Sequence, residues 1–267
     1  MFAESTAVNL TASDIALSAG LVLVSAGISL AMKLKMEKRL ALASIRTVLQ
    51  LLLIGFVLQK VFEINTFYVL IPVLLLMLFT AAHAAVGRPS RKYRGMGPLA
   101  FCVMGVTSLA VTTTVTGLII GVEPWYKPSY LIPLLGMVLG NTMNGVSLAT
   151  DHFLETLSER RHRVEMELAT GATRWEAARQ PVAEALRRGM IPIINSMMVV
   201  GLVSLPGMMT GQILAGSNPA VAVKYQIMTM FMIAAGTSLG AMGMVLFSFR
   251  RLFNSRHQLL TDKIHRK

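Results

Sequence analysis

The side chains best placed to do chemistry in this 267-residue chain are few, and most of them are neutral. Asn141 and Asn144 stand at i and i+3 within an apolar run, so a helix would put both on one face. Their amides could line a hydrophilic path, offer oxygens to a cation, or act as interhelical glue beside Gly136 and Gly140. Arg46 and Gln50 lie one helical turn apart in another apolar run. Facing a pathway, Arg46 would attract anions and repel metal cations; near the membrane edge it would snorkel to the headgroups. His83 has no second ligand near it in its run. The 19 methionines include the pairs Met197/Met198 and Met208/Met209. Thioethers suit soft ions, but they also provide adaptable apolar packing. The metal ligands, if the chain has any, are unknown at this level.

What is missing narrows the chemistry further. Cys102 is the only cysteine, so neither an intrachain disulfide nor a cysteine metal motif is available. No phosphate-cradling G-x-x-x-x-G-K-[ST] occurs, and therefore no nucleotide cofactor is expected on this chain. No Asp, His and Ser cluster or intramembrane carboxylate pair is present, so the expectation is a protein that is not an enzyme. Glu37, Glu63, Glu123 and Asp151 sit at the edges of apolar runs or between them. Proton- or ion-coupled transporters usually carry an acid inside a span, which argues that any transport here draws its energy from elsewhere.

The elements that must hold these residues are membrane helices. Hydrophobic residues make up 54% of the chain and charged residues 14%, and runs near 20 apolar residues are long enough to cross a hydrocarbon core. Seven are expected, at about Ile15–Met32, Leu40–Phe62, Phe67–Val86, Leu99–Val122, Ser129–Thr150, Ile191–Ala215 and Val223–Phe249. The net charge of +12 is distributed by loop. Lys33, Lys35, Lys38 and Arg39 follow the first run, and Arg88, Arg91, Lys92 and Arg94 follow the third. Arg160 to Arg188 fill the connection after the fifth, and Arg250 to Lys267 close the chain. The alternate loops hold only Lys60, Lys127 and Lys224. Such alternation is the positive-inside pattern, and it places the N-terminus outside and the C-terminus in the cytoplasm. The basicity is topological, with anionic lipids as secondary partners and no role in nucleic-acid binding. Residues 1–14 lack Lys and Arg, so the first run reads as a retained span, not a cleaved signal. The expected fold is an all-α polytopic bundle forming one domain over 1–267, with a cytoplasmic helical hairpin at about 151–190.

That hairpin carries the most distinctive segment. The fifth run continues without a breaker from about Tyr130 to Thr170, which as one helix would measure roughly 60 Å. Gly171 is a natural C′ residue, Thr173 and Glu176 form a capping-box pattern, and Pro181 disfavours helix at Gln180. These signals predict a short helix of about two turns, pinned between two breaks at the hairpin tip. A membrane protein has little structural need for it, although a solvated loop would look the same. Glu165, Glu167, Gly171, Ala172, Thr173 and Trp175 are the candidate contacts to a soluble partner, with Trp175 as anchor unless it rests among lipid headgroups.

The segment Glu167-Leu-Ala-Thr-Gly-Ala-Thr173 resembles the coupling loop of ABC transporter permeases, with Glu165 or Glu167 as its leading acid and only Ala169 following in place. Val200-Gly-Leu-Val-Ser-Leu-Pro-Gly-Met-Met-Thr-Gly-Gln-Ile-Leu-Ala-Gly216 is more specific, with Lys224-Tyr-Gln-Ile-Met228 after it. Together with Gly140-Asn-Thr-Met143, Arg46-Thr-Val-Leu-Gln-Leu51 and Asn254-Ser-Arg-His-Gln-Leu259, this block closely resembles the Fet-type iron-export permeases of the UPF0014 family, relatives of plant aluminium-tolerance permeases. The resemblance runs from about Leu40 to Leu259. It implies an inner-membrane permease that works with a separate ATP-binding subunit, where ATP and magnesium would bind, and that exports iron or a related metal. A homodimer is expected, because one short chain would enclose no complete pathway. A permease for an organic solute is the alternative cargo reading. A seven-helix receptor is the rival class, and it fits poorly because Lys224 sits at the outer end of the last run.

Within the sixth run, Ser204-Leu-Pro-Gly207 removes a helical hydrogen bond at Pro206 and lets the chain bend at Gly207. The segment reads either as a hinge in a discontinuous, pathway-lining helix or as an ordinary proline kink.

Overall fold

The computed structural model describes residues 11–64 and 66–266; residues 1–10, Asn65 and Lys267 lie outside the described residues. The architecture is a helical membrane bundle. Its helices are α1 (Ala12–Ala31), α2 (Glu37–Ile64), α3 (Phe67–Gly87), α4 (Met96–Thr114), α5 (Pro128–Glu159), α6 (Arg161–Ala169), α7 (Arg174–Val199), α8 (Gly207–Leu214) and α9 (Pro219–Leu252). A π-helical turn, Val115–Ile119, extends α4. Among the described residues, six helices are long and apolar enough to cross a membrane: α1, α2, α3, α4 with its extension, α5 and α9.

α5 is the central element and packs against α3, α4, α7 and α9. Its close approaches are made by small residues, which let backbones come together where lipid gives no hydrophobic drive. A Cβ on Gly145 would lie 2.5 Å from Thr237 Cγ2 and 3.2 Å from the Gly189 carbonyl oxygen, so α5, α7 and α9 meet at one point. Gly236 and Gly240 of α9 similarly abut Val138 and Thr142 of α5, at 2.5 and 2.4 Å from their would-be Cβ atoms. The expected small-residue pair is not the close contact. Gly140 has nothing within 4 Å of its would-be Cβ, and Gly136 meets only the end of Met77.

α1 and α2 stand to one side and pack on each other. Ser29 Oγ ties them by donating to Glu37 Oε2 at 3.2 Å and accepting from the Met36 amide at 3.1 Å. α2 meets the remainder through Val61, beside Leu70, Leu131 and Ile132. Most of its other apolar residues are exposed, as are most of those of α1, and lipid is the medium in which such surfaces are stable.

Three expectations about the hairpin change. The fifth run is not one helix to Thr170: it breaks at Arg160 (φ −97°, ψ 24°), and α6 follows. The bend brings Val164 into the core, which a straight polar arm projecting into water would have left exposed. Pro181 does not stop or kink the chain into a short helix, because α7 continues through both Pro181 and Pro192. Ala177, Ala178, Pro181, Val182, Ala185 and Gly189 are buried at three- and four-residue spacings, and this packed face outweighs the local preference at Gln180. The short helix is therefore α6, before Gly171, and not a segment after it. Gly171 has φ +99°, the left-handed C′ geometry expected of it.

The sixth run also divides. α7 ends at Val199, residues 200–206 leave the helix, and α8 begins at Gly207. This is a break and not a kink. It starts at Gly201 (φ +84°), whose amide donates to Ser204 O at 2.9 Å, while Pro206 is the N-cap of α8.

Candidate coupling surface and membrane interior

The basic loops gather at one end of the bundle. Ser90 donates to Asp151 Oδ1 through its amide (2.8 Å) and hydroxyl (2.9 Å), and Arg91 Nη1 donates to the Glu155 carbonyl at 3.0 Å. Strand β1 (Arg91–Lys92) pairs antiparallel with β2 (His265–Arg266) at the chain's end. Tyr93 joins Ser248 at 2.8 Å, and burial raises the Tyr93 phenol above its ordinary value. The opposite end is aromatic, with Phe67, Trp125 and Tyr126 in mutual edge contact.

At the basic end, α6 and the start of α7 form the hairpin tip. The two candidate acids are held one turn from their partners: Arg161 Nε to Glu165 at 2.7 Å, and Arg163 Nε to Glu167 at 3.1 Å. Arg163 also donates to Gln180 Oε1 at 3.1 Å, and Arg160 reaches Glu184 at 3.3 Å, so α6 and the bend before it are each linked to α7. The turn closes with the Ala172 amide on the Glu167 carbonyl at 3.1 Å. The capping box is present: the Glu176 amide donates to Thr173 Oγ1 at 3.3 Å and the Thr173 amide to Glu176 Oε2 at 2.7 Å. Those bonds to Thr173 hold the Glu176 carboxyl below its usual range.

Trp175 is 45% exposed, and its ring meets Phe249 of α9 edge-on at 5.6 Å. The C-terminal loop completes this surface, a contribution not foreseen from the sequence. His257 Nδ1 accepts from the Arg174 amide at 2.8 Å, and Arg174 Nη1 donates to the Asn254 carbonyl at 3.4 Å. Asn254 shapes the loop, its Oδ1 accepting from the amides of Arg256 (3.0 Å) and Gln258 (2.9 Å). Asn254 and Gln258 were visible as a motif, but spacing alone could not reveal that the loop reaches α7. Between α6 and this loop lies a groove of about 490 Å³ that includes Glu165, Leu168, His257 and Leu259.

The structure does not bring the intramembrane candidates together. Asn144 accepts from Arg88 at the basic end, whereas Asn141 Nδ2 donates to the Met137 carbonyl of its own helix at 2.9 Å. Arg46 and Gln50 lie on the exposed side of α2. His83 is exposed and stacks on Phe79. Ser204, Pro206 and Gly207 lie in the break before α8. Among the described residues, no three His, Cys, Asp or Glu side chains converge as metal ligands. A cavity of about 630 Å³ opens between the start of α5, α8 and the start of α9, bordered by Tyr130, Met137, Met208, Gln212 and Tyr225.

The described helices thus make a multi-pass membrane protein, and comparison with known proteins agrees. The UPF0014 membrane protein slr1647 of Synechocystis is 37% identical over 85% of this chain and 88% of its own. The probable iron export permease protein FetB of Escherichia coli K12 is 32% identical over 97% of this chain and 98% of its own. Protein ALUMINUM SENSITIVE 3 of Arabidopsis thaliana is 31% identical over 90% and 86%, respectively. No solved structure matches the chain. The model of the uncharacterised protein family UPF0014 matches residues 12–253, and the chain belongs to that family.

Proposed function

We propose that this protein is the membrane permease of an ABC transporter in the inner membrane, exporting iron or a related metal cargo under the drive of a separate ATP-binding subunit. The carrying observation is the hairpin tip. A nine-residue helix, α6, is set between a bend at Arg160 and a left-handed glycine at 171, and it is fixed to α7 by polar links. α7 in turn packs along the central helix α5. A force on that tip would therefore pass directly to α5 and to the break before α8. The FetB relative's name supplies the iron cargo and the export direction.

In this reading Glu165, Glu167, Gly171, Ala172, Thr173 and Trp175 face the ATPase, which holds ATP and magnesium. Residues 200–207 act as the hinge, two copies of the chain enclose the pathway, and the N-terminus lies outside. The test is ATPase activity of the chain co-reconstituted with its ATP-binding subunit in nanodiscs, titrated with Fe(II). Iron-stimulated hydrolysis that falls at least about tenfold in Trp175→Ala is expected, given that an interface Trp carries 2 kcal/mol or more. Failure to form a complex with the ATPase sinks the reading. The largely apolar, neutral lining of the cavity between α5, α8 and α9 favours a second cargo reading, an organic solute.

A further inference from the structure

We infer that the cavity between α5, α8 and α9 is a binding site for an uncharged organic molecule with hydrogen-bond acceptors, either free or as the ligand shell of a neutral metal chelate. The inference rests on the permease reading and names the class of cargo that the site takes.

The volume of about 630 Å³ is the size of a small-molecule site and far exceeds the space a bare ion needs. The lining is apolar with a few polar groups: the phenols of Tyr130 and Tyr225, the Ser129 and Ser217 hydroxyls, and the Gln212 amide. Among the described residues, no acid, histidine or cysteine borders it. Carboxylates and imidazoles are the groups that replace the hydration shell of a divalent iron ion, and neutral groups alone compensate its dehydration poorly. Two thioethers are present, but Met208 Sδ already accepts from Thr229 Oγ1 at 3.4 Å.

The phenols and serine hydroxyls of the lining can each donate or accept, so they can serve the acceptor atoms of an uncharged guest; Gln212 Oε1 itself is enclosed and does not open onto the cavity. One wall of the site is α8, the short helix created by the break at 200–206. Movement of that break would open or close the site, as in transporters whose sites are built from discontinuous helices.

The test is equilibrium binding to the full-length permease in nanodiscs with three probes: maltol, the neutral iron(III) tris-maltolate complex, and Fe(II) alone under anaerobic conditions. At least one neutral probe is expected to bind, and Fe(II) alone is expected not to. Gln212→Leu should weaken that binding about five- to tenfold, and Tyr225→Phe, which keeps the ring, by a smaller factor. Binding of both neutral probes identifies a free organic source; binding of the complex alone identifies a chelate. Fe(II) binding that responds to Gln212→Leu overturns the inference. So does the failure of both neutral probes, or affinities indifferent to both substitutions. ATPase coupling is read separately, so loss of the partner complex with binding intact would remove the permease reading and leave the site standing.

Discussion

At the scale of single residues, the closest backbone approaches make the sharpest demands. A methyl group on Gly240 would fall 2.4 Å from Thr142 Cγ2, and Thr142 is β-branched and buried, so it has little freedom to turn away. Gly240→Ala should therefore destabilise the bundle by about 1–3 kcal/mol, the usual cost of overpacking, read as a lowered Tm in detergent. Gly140→Ala meets nothing within 4 Å and replaces a poor helix former, so its Tm should be unchanged or higher. Equal losses from the two would show that α5 and α9 do not cross where described. Glu176 makes a second demand, through pH. Its lowered pKa means that the folded turn favours the carboxylate. The stabilisation is fully present above the ordinary carboxylate range and disappears as pH falls through the depressed value. Protection of the tip amides relative to Glu176→Gln should accordingly be larger at neutral pH and vanish in acid. A protection difference that grew on acidification would contradict the capping box.

At the scale of elements, the sequence was most legible where local signals act alone. The apolar runs matched α1 to α4 and α9 because hydrophobic length is read residue by residue. The Gly171 and Thr173 signals marked their breaks because each depends on its own backbone geometry. Where a partner helix decides, the reading failed. Pro181 is helical because its face is packed, and Arg160 bends because Val164 gains a place in the core. The intramembrane candidates were poorly legible for the same reason: the shared face of Asn141 and Asn144 gave no hint that Arg88 would take one of them. The C-terminal loop is the clearest case of an element whose purpose lies elsewhere in the chain. Through His257 it presents an acceptor to the Arg174 amide, at the start of a helix whose first amides have no partner of their own. His257→Ala should raise amide exchange at Arg174 about fivefold, equivalent to roughly 1 kcal/mol of lost hydrogen bonding, without altering the exchange of α5. An unchanged rate at Arg174 would mean that the loop does not hold the tip.

At the scale of the whole molecule, the charge pattern and the packing make the same division into two ends by independent routes. Hydrogen bonds join the 88–93 loop to α5, the hairpin tip to the loop at 254–258, and the final residues to β1. The lysine-rich turn between α1 and α2 belongs to that end as well, since the far end of α2 packs through Val61 beside Leu131 and Ile132 at the start of α5. In the arrangement proposed above, the positive-inside pattern would set this basic end in the cytoplasm. In a Cys102→Ala background, single cysteines at Lys35, Thr170, Ser255 and Glu123, all exposed, report the arrangement. A membrane-impermeant maleimide should label Glu123→Cys in intact cells and the other three only after the membrane is opened. Lys35 is the decisive position. α1 and α2 touch the bundle so thinly that their orientation follows from charge and from the one cluster at Val61. Labelling of Lys35→Cys from outside, with Thr170→Cys and Ser255→Cys still protected, would detach the α1–α2 hairpin from this arrangement while leaving the α3–α9 bundle in place.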